Sequence, residues 1–534
     1  MDYKKKYLKY KLKYLYAKNL YGGMQRESEN KLEKESEELE QKSIDVFLIM
    51  NDFTGKITVK PGDKIFYSIK IKIPNGQMIS KIFFGDDVIY NYLVSDDYLV
   101  SDDYNSTFQD YDIEDGARLS IETKDITVLD IIREIEQMNN ITIRDAINVN
   151  YINEDKDPLH IVELHLSNLN IRILPISFCY LKIQNHLSLQ DNQLTSLPEP
   201  FGLIKIGGHI RLHHNQLTSL PESFSSINVE GSLYLNHNQL TSLPESFSSI
   251  NVEGSLYLNH NQLTSLPESF GSIQVGIDLY LSNNQLNSLP ELFGSIQVGN
   301  NLVLNNNQLT SLPESFGSIQ IEGTLTLNLN QLSLLPESFG SIQIGNNLFL
   351  NHNQLTSLPE SFGSINVEGS LYLDNNKLNL LPESFGSIDF KKNLYLSKNQ
   401  LTSLPKSFGS IKVGTLTLNN NQLSSLPELF GSIKVGHNLH LENNQLTSLP
   451  ESFSSIQVGF DLNLSHNQLT SLPESFGLIK VGRNLYLNDN QLSSLPESFG
   501  LIQIGENLHL ENNKFNELPE SLLYHKDVDK IKYR

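Results

Sequence analysis

Apolar residues follow two superposed periods in this chain. In the segment LVLNNNQLTSLPESF, residues 302–316, Leu302 and Leu304 alternate across an exposed Val303, the two-residue period of a strand with one buried face. Leu309, Leu312, Pro313, Phe316 and Ile319 follow, and Val298 enters from the preceding segment. These positions point inward, and burying each aliphatic or aromatic side chain contributes roughly 1.5–3 kcal/mol. The longer period is set by a Leu-Pro pair, which recurs sixteen times from Pro175 to Pro519. Its spacing is 23 residues at every step except Pro405 to Pro427, where it is 22. A fixed period of this size predicts one supersecondary unit per repeat, each covering its neighbour's apolar face. Such a chain presents a long surface rather than a pocket.

One polar residue holds a fixed place among the leucines. It is Asn192, Asn215, Asn238, Asn261, Asn284, Asn307, Asn330, Asn353, Asn376, Asn399, Asn421, Asn444, Asn467, Asn490 and Asn513; only the first unit substitutes Leu169. A buried amide both donates and accepts, so it can pair backbone groups where the strand turns away. Leaving such groups unpaired costs ~1–3 kcal/mol each. The column therefore reads as a structural ladder, not as a site.

The pattern LxLxxNxLxxLPxxFxxI resembles the leucine-rich repeat in its short class, over residues 159–524. The resemblance implies an α/β solenoid: a superhelix with a parallel β-sheet on the concave side and an extended or 3₁₀ outer side. This chain departs from the family by placing glycine three residues before the first strand leucine, at Gly276, Gly299, Gly345, Gly436, Gly459, Gly482 and Gly505. A Val or Ile just before it supplies the missing contact. At residue 415 one residue is lost from the loop before the strand, so the ladder should survive.

The ends differ in kind. Residues 1–23 hold seven lysines and six tyrosines, with Tyr3, Tyr7, Tyr10 and Tyr14 on one helical face. They read as a contact for an anionic membrane surface, a nucleic acid, a targeting address or a solvated tail. KYLKYKxKYL is similar to an N-terminal segment found on proteins of giant, mimivirus-type DNA viruses. Residues 24–43 are a charged linker. Residues 44–125 predict two strands turning at Thr54-Gly55-Lys56, a second turn at Pro61-Gly62, and further strands at 81–87 and 110–122. The Thr54-Gly55-Lys56 turn, Ile82-Phe83-Phe84-Gly85, and the run from Phe108 to Ile113 leading to Leu119 and Ile121 resemble a small α+β, ubiquitin-like β-grasp domain. No diglycine follows Ile121, and Glu122 stands in the docking patch with Phe53 and Ile82, so neither conjugation nor ubiquitin-type docking is implied. The duplicated YLVSDDYLVSDDY, 92–104, predicts an exposed acidic loop whose four aspartates form a weaker candidate metal site. Residues 126–158 predict a helical cap, with Ile126, Leu129, Ile132 and Ile135 inward, and residues 525–534 a polar C-terminal cap.

Composition narrows the function classes. Asp plus Glu outnumber Lys plus Arg by 61 to 40, a net charge of −21, much of it from the Glu after each repeat proline. That stripe disfavours nucleic-acid binding by the solenoid. A single cysteine, Cys179, excludes disulfide-closed ends and indicates a reducing compartment. No 18-residue apolar stretch and no signal-peptide core appear, which predicts a soluble, intracellular protein.

No nucleophile, base and orienting acid assemble into a catalytic set, and no cofactor is implied. His214, His237 and His260 stack in consecutive units but lack a completing carboxylate or cysteine, so they read as a solvated ladder rather than a zinc site. The aromatic residues between strand leucines are the candidate partner-binding groups: Tyr234, Tyr257 and Tyr280, then Phe349, Tyr372 and Tyr395, with Tyr486 alone. Rungs ~4.8 Å apart would make each trio a continuous strip, and aromatic anchors are common at protein interfaces. Residues 220–242 and 243–265 are identical, which fits growth by duplication of an extended contact surface. The expectation is a non-enzymatic scaffold binding a protein partner, of the host if the chain is viral. The alternative is a virion component addressed by residues 1–23.

Overall fold

The computed structural model describes five strands between residues 44 and 125, then residues 127–143, 159–515 and 531–532. The chain divides into two compact units, residues 1–127 and 128–534.

In the first unit, β1 (Ile44–Met50), β2 (Phe53–Val59), β3 (Gln77–Phe84), β4 (Asp87–Asn91) and β5 (Arg118–Asp125) form one sheet in the order β2-β1-β5-β3-β4. β1 and β5 are parallel and the other pairs antiparallel. The expected turn at Thr54-Gly55-Lys56 is corrected here. Met50 pairs with Phe53 and Leu48 with Gly55, so the chain reverses earlier and those three residues lie inside β2. The Pro61-Gly62 turn and the duplicated acidic segment lie outside the described residues.

The second unit opens with α1 (Val128–Asn139). Its buried residues are Val128, Ile131, Ile132 and Ile135, whereas Leu129, expected inward, is 49% exposed. A strict spacing of three drifts by about 60° per step around a helix of 3.6 residues per turn. The face that stays together is therefore i, i+3, i+4, i+7, and it begins at Val128. The Asn139 amide ties the helix to the first repeat, donating to the Ile173 carbonyl at 2.8 Å and accepting from the backbone N–H of Arg172 and Ile173 at 2.6 and 2.9 Å. Ser177 donates to the Glu134 carboxylate across the same junction.

From Leu164–His165 to Leu508–His509, two-residue strands pair in parallel, each strand leucine opposite the next. Ile531–Lys532 adds one further strand to the last rung. The shortened unit keeps register, with Leu394 opposite Leu416 and Leu416 opposite Leu439. In the sample repeat Leu302, Leu304, Leu309 and Phe316 are fully buried, but Pro313 and Val303 are only half-covered. The proline begins the outer turn, and Val303 leans against the residues of adjacent rungs. Each outer segment is a short 3₁₀ turn such as Glu314–Ser318, with its glutamate exposed.

A second parallel ladder runs beside the first, made of dipeptides such as Gln274–Val275 and Gln297–Val298. It buries the Val or Ile before six of these glycines, Val275, Val298, Ile344, Val435, Val458 and Val481, each at most 6% exposed, whereas Ile504 before Gly505, near the end of the coil, is half-buried. These are the residues expected to replace the missing leucine contact. The ladder is interrupted twice, between Gln297–Val298 and Gln320–Ile321 and again at Asp389-Phe390-Lys391-Lys392, where Phe390 turns inward and packs 5.7 Å from the Phe385 ring.

Fifteen phenylalanines from Phe178 to Phe499 stack along the core with centroids 5.9–6.3 Å apart and interplanar angles of 2–9°. Aromatic pairs between the strand leucines stand only 4.2–4.7 Å apart. Each repeat is thus a wedge, narrow at the strand and wide toward the 3₁₀ turn, and the strand side of the coil is its concave side.

Three rows of side-chain hydrogen bonds hold the wedges in register. Asn307 is typical of the first: its amide donates to the Leu281 and Leu304 carbonyls, both at 3.0 Å, and accepts from the Leu286 N–H at 3.1 Å. From Asn192 to Asn490 these asparagines are at most 8% exposed; Asn513, at the end, is half-buried. On the outer turns a serine hydroxyl donates to the glutamate carbonyl of the preceding repeat, as from Ser338 to Glu314 at 2.5 Å. Tight approach of these turns explains one glycine directly: a Cβ on Gly294 would stand 1.7 Å from the Ser315 carbonyl oxygen. The third row belongs to the concave face.

Candidate functional site

Each rung offers the concave face four positions: the residue before the first strand leucine, the residue between the two leucines, the residue after the second, and the next one, which precedes the ladder asparagine. The first position makes the third row of hydrogen bonds, a backbone N–H of one rung donating to a side chain of the rung before. The acceptors include His186 Nδ1 (from His209 N–H, 3.0 Å), His209 Nδ1 (Ser232, 2.7 Å), Ser232 Oγ (Ser255, 3.0 Å), Asp278 Oδ1 (Asn301, 3.0 Å) and Asn301 Oδ1 (Thr324, 2.8 Å). Sequence reading missed this row because residue types vary along it. What they share is a short side chain with an acceptor atom.

The second position carries the aromatic residues. Tyr234, Tyr257 and Tyr280 stack with centroids 4.6 and 4.7 Å apart and planes within 7°. Phe349, Tyr372 and Tyr395 form a second stack at 4.2 and 4.5 Å. Tyr486 stands apart from both rows and stacks on His509 at 4.5 Å. All seven of these aromatic side chains are half-buried. Val303 and Thr326 separate the rows, and Thr417 ends the second.

Because the rings cover one another's faces, each row shows a partner its edges and hydroxyls, where an aromatic ring is electropositive. Burial pushes the Tyr257, Tyr395 and Tyr486 phenols up from their ordinary value. Burial and the Asp278 carboxylate, 3.4 Å from the hydroxyl, push Tyr280 up to about 12. These four phenols therefore stay protonated at neutral pH, with the Tyr280 hydroxyl already donating to Asp278. The third position lies alongside, and there Asn236 Oδ1, Asn259 Oδ1, Asn351 Oδ1 and His213 Nδ1 are buried without accepting a hydrogen bond from the protein.

The fourth position is left-handed, with φ of 51–57° from Asp191 to Asn512. That accounts for its run of Asn, His and Asp, which tolerate this conformation. Leu329 and Lys398 are the exceptions, at φ 57° and 53°, and the bulky Leu329 side chain is 43% exposed. His214, His237 and His260 belong to this position, and their rings stack face to face at 4.4 and 4.2 Å. Among the described residues, no group of three or more His, Cys, Asp or Glu is placed to hold a metal ion. Cys179 is buried. No helix among the described residues is long and apolar enough to cross a membrane.

Parallel two-residue strands on the inside of the coil, 3₁₀ turns outside and an asparagine ladder between define a leucine-rich repeat solenoid. The comparisons agree with that class. The leucine-rich repeat family model matches residues 461–479. The solved structure of a leucine-rich repeat protein from Leptospira interrogans is similar, with 28% identity over 70% of this chain and 95% of that one and a TM-score of 0.50. YopM, a leucine-rich effector protein of Yersinia pestis, is 24% identical over 70% of this chain and 88% of its own, with a TM-score of 0.37. No curated protein matches the chain.

Proposed function

We propose that this chain is a non-enzymatic scaffold whose concave face binds a protein partner, with the two tyrosine-rich rows as its anchors. The single observation that carries the reading is the stacking of half-buried rings in two rows on one exposed face. Protein partners are the common ligands of leucine-rich repeat solenoids. The geometry favours a polypeptide over a sugar or base: ligands that stack need a free ring face, and here most faces are taken by neighbouring rings. A polypeptide instead supplies carbonyl oxygens to the phenol donors and N–H groups to the asparagine acceptors.

Replacing Tyr234, Tyr257 and Tyr280 together with Ser, a residue the concave face already carries at Ser188, should reduce capture of the partner at least about tenfold, since interface aromatics of this kind contribute about 2 kcal/mol or more each. The melting temperature should hold within a few degrees. Unchanged capture by a folded variant would reject these residues as the anchors.

For residues 44–125 we keep the ubiquitin-like reading as a proposal, supported by the β2-β1-β5-β3-β4 order with its central parallel pair. The viral reading is likewise a proposal, carried by residues 1–23 alone.

A further inference from the structure

The concave face is not electrically uniform. Rungs three to five, counted from the strand at Leu164, bring together Arg211, His213, His214, His237 and His260 in a chain that is otherwise strongly acidic. The His213 and His214 rings are 5.5 Å apart, His213 lies 5.7 Å from Tyr234, and the Arg211 guanidinium is 6.0 Å from the same tyrosine ring. The group therefore abuts the start of the first aromatic row. On the concave face Asp191 lies one rung before and Asp278 one rung beyond, and the exposed Glu230 and Glu253 lie in the loops that lead into the strands of rungs four and five. Asp278 is already engaged by Asn300 Nδ2 and Asn301 Nδ2 at 2.9 and 2.8 Å. His186 and His209 are also close, stacked at 4.7 Å, but their Nδ1 atoms accept backbone N–H groups. Both rings are therefore already committed to the concave ladder. His213 has no such duty, and its Nδ1 accepts nothing from the protein.

We propose that rungs three to five dock an acidic polypeptide segment, with Arg211, His213, His214, His237 and His260 as the groups that receive its carboxylates. The inference rests on the concave-face reading above and supplies the partner's chemistry. The patch spans two rung spacings, roughly 10 Å, the reach of about three extended residues. That length fits a short acidic run better than a nucleic-acid backbone, which the acidic chain as a whole would repel.

A pH dependence follows, and its sign is fixed. Burial, with neighbouring imidazoles adding to it, holds His213 and His237 below the ordinary histidine value in the free protein. Both are then largely neutral at pH 7.5. A bound carboxylate favours the protonated rings, so binding takes up protons and strengthens as pH falls.

The test uses the full chain and a fluorescent eight-residue glutamate peptide, with a glutamine peptide of the same length as control, followed by anisotropy at pH 6.0 and 7.5. Binding of the glutamate peptide should be about tenfold tighter at pH 6.0, a change of about 1.4 kcal/mol, and the glutamine peptide should not bind. The variant Arg211→Gln, His213→Asn, His214→Asn, His237→Asn, His260→Asn should lose the interaction. It should also fold, because the same positions carry asparagine at Asn236, Asn259, Asn283 and Asn306. Equal binding at both pH values, unchanged binding by a folded variant, or tighter binding of a single-stranded RNA of equal charge would each overturn the proposal. If the glutamate peptide fails while the tyrosine variant still loses the partner, this inference falls and the scaffold reading stands.

Discussion

Asn307→Ala is expected to lower the stability of the coil by about 1–3 kcal/mol, because the buried Leu286 N–H loses its partner, while the Leu281 and Leu304 carbonyls each keep one donor, from Asn284 and Asn330. The Leu286 N–H is held by the Asn307 amide oxygen in a buried position, so its loss leaves a donor unpaired. Since repeats contact only their neighbours, the loss should appear first as local opening of the rungs near residue 307. Urea denaturation followed by circular dichroism, with limited proteolysis of the same samples, measures both quantities. Asn513→Ala is the internal control. That residue makes the same kind of bonds but is half-buried, so solvent can satisfy the freed groups and the cost should be much smaller. Equal, small losses at both positions would show that the ladder contributes little.

Phe316→Ala should cost more, about 3–5 kcal/mol, by a different route. The ring is fully buried between Phe293 and Phe339, each 6.1 Å away in near-parallel stacking. Removing it opens a cavity that the flanking rings cannot fill, since each is fixed by the next in the column. The stack is continuous, so the variant should unfold in two steps as the segments on either side part company. Phe316→Leu keeps most of the volume and should retain a single transition with a much smaller loss. A single, nearly unshifted transition for Phe316→Ala would contradict the packing described here.

Much of this architecture is legible in the sequence because a solenoid repeats its evidence. The alternation of Leu302 and Leu304, the phenylalanine column and the asparagine column each recur at one spacing, and tertiary context that could override a local pattern is the same in every repeat. What stays hidden are features with no fixed residue type or too short a run. The second ladder is built from two-residue strands such as Gln297–Val298, too short to display a period. The concave acceptor row passes through His209, Ser232, Asp278 and Asn301, which share a hydrogen-bonding atom rather than a name.

The candidate site was half-legible in the same way. The sequence places Tyr234, Tyr257 and Tyr280 on one face. It says nothing of their faces being covered by one another, and that is what favours a hydrogen-bonding polypeptide. The histidine column was legible as a column, but its cause was not: those residues occupy a left-handed position that Asn283 and Asn306 fill elsewhere.

Hydroxyl-radical footprinting of the full chain, with and without the captured partner, tests the concave-face account most directly. Oxidation of Tyr234, Tyr257, Tyr280, Phe349, Tyr372 and Tyr395 should fall when the partner binds, while oxidation of the exposed outer leucines Leu292, Leu429 and Leu478 stays the same. Protection confined to those outer leucines, with the tyrosines oxidised as before, would contradict it.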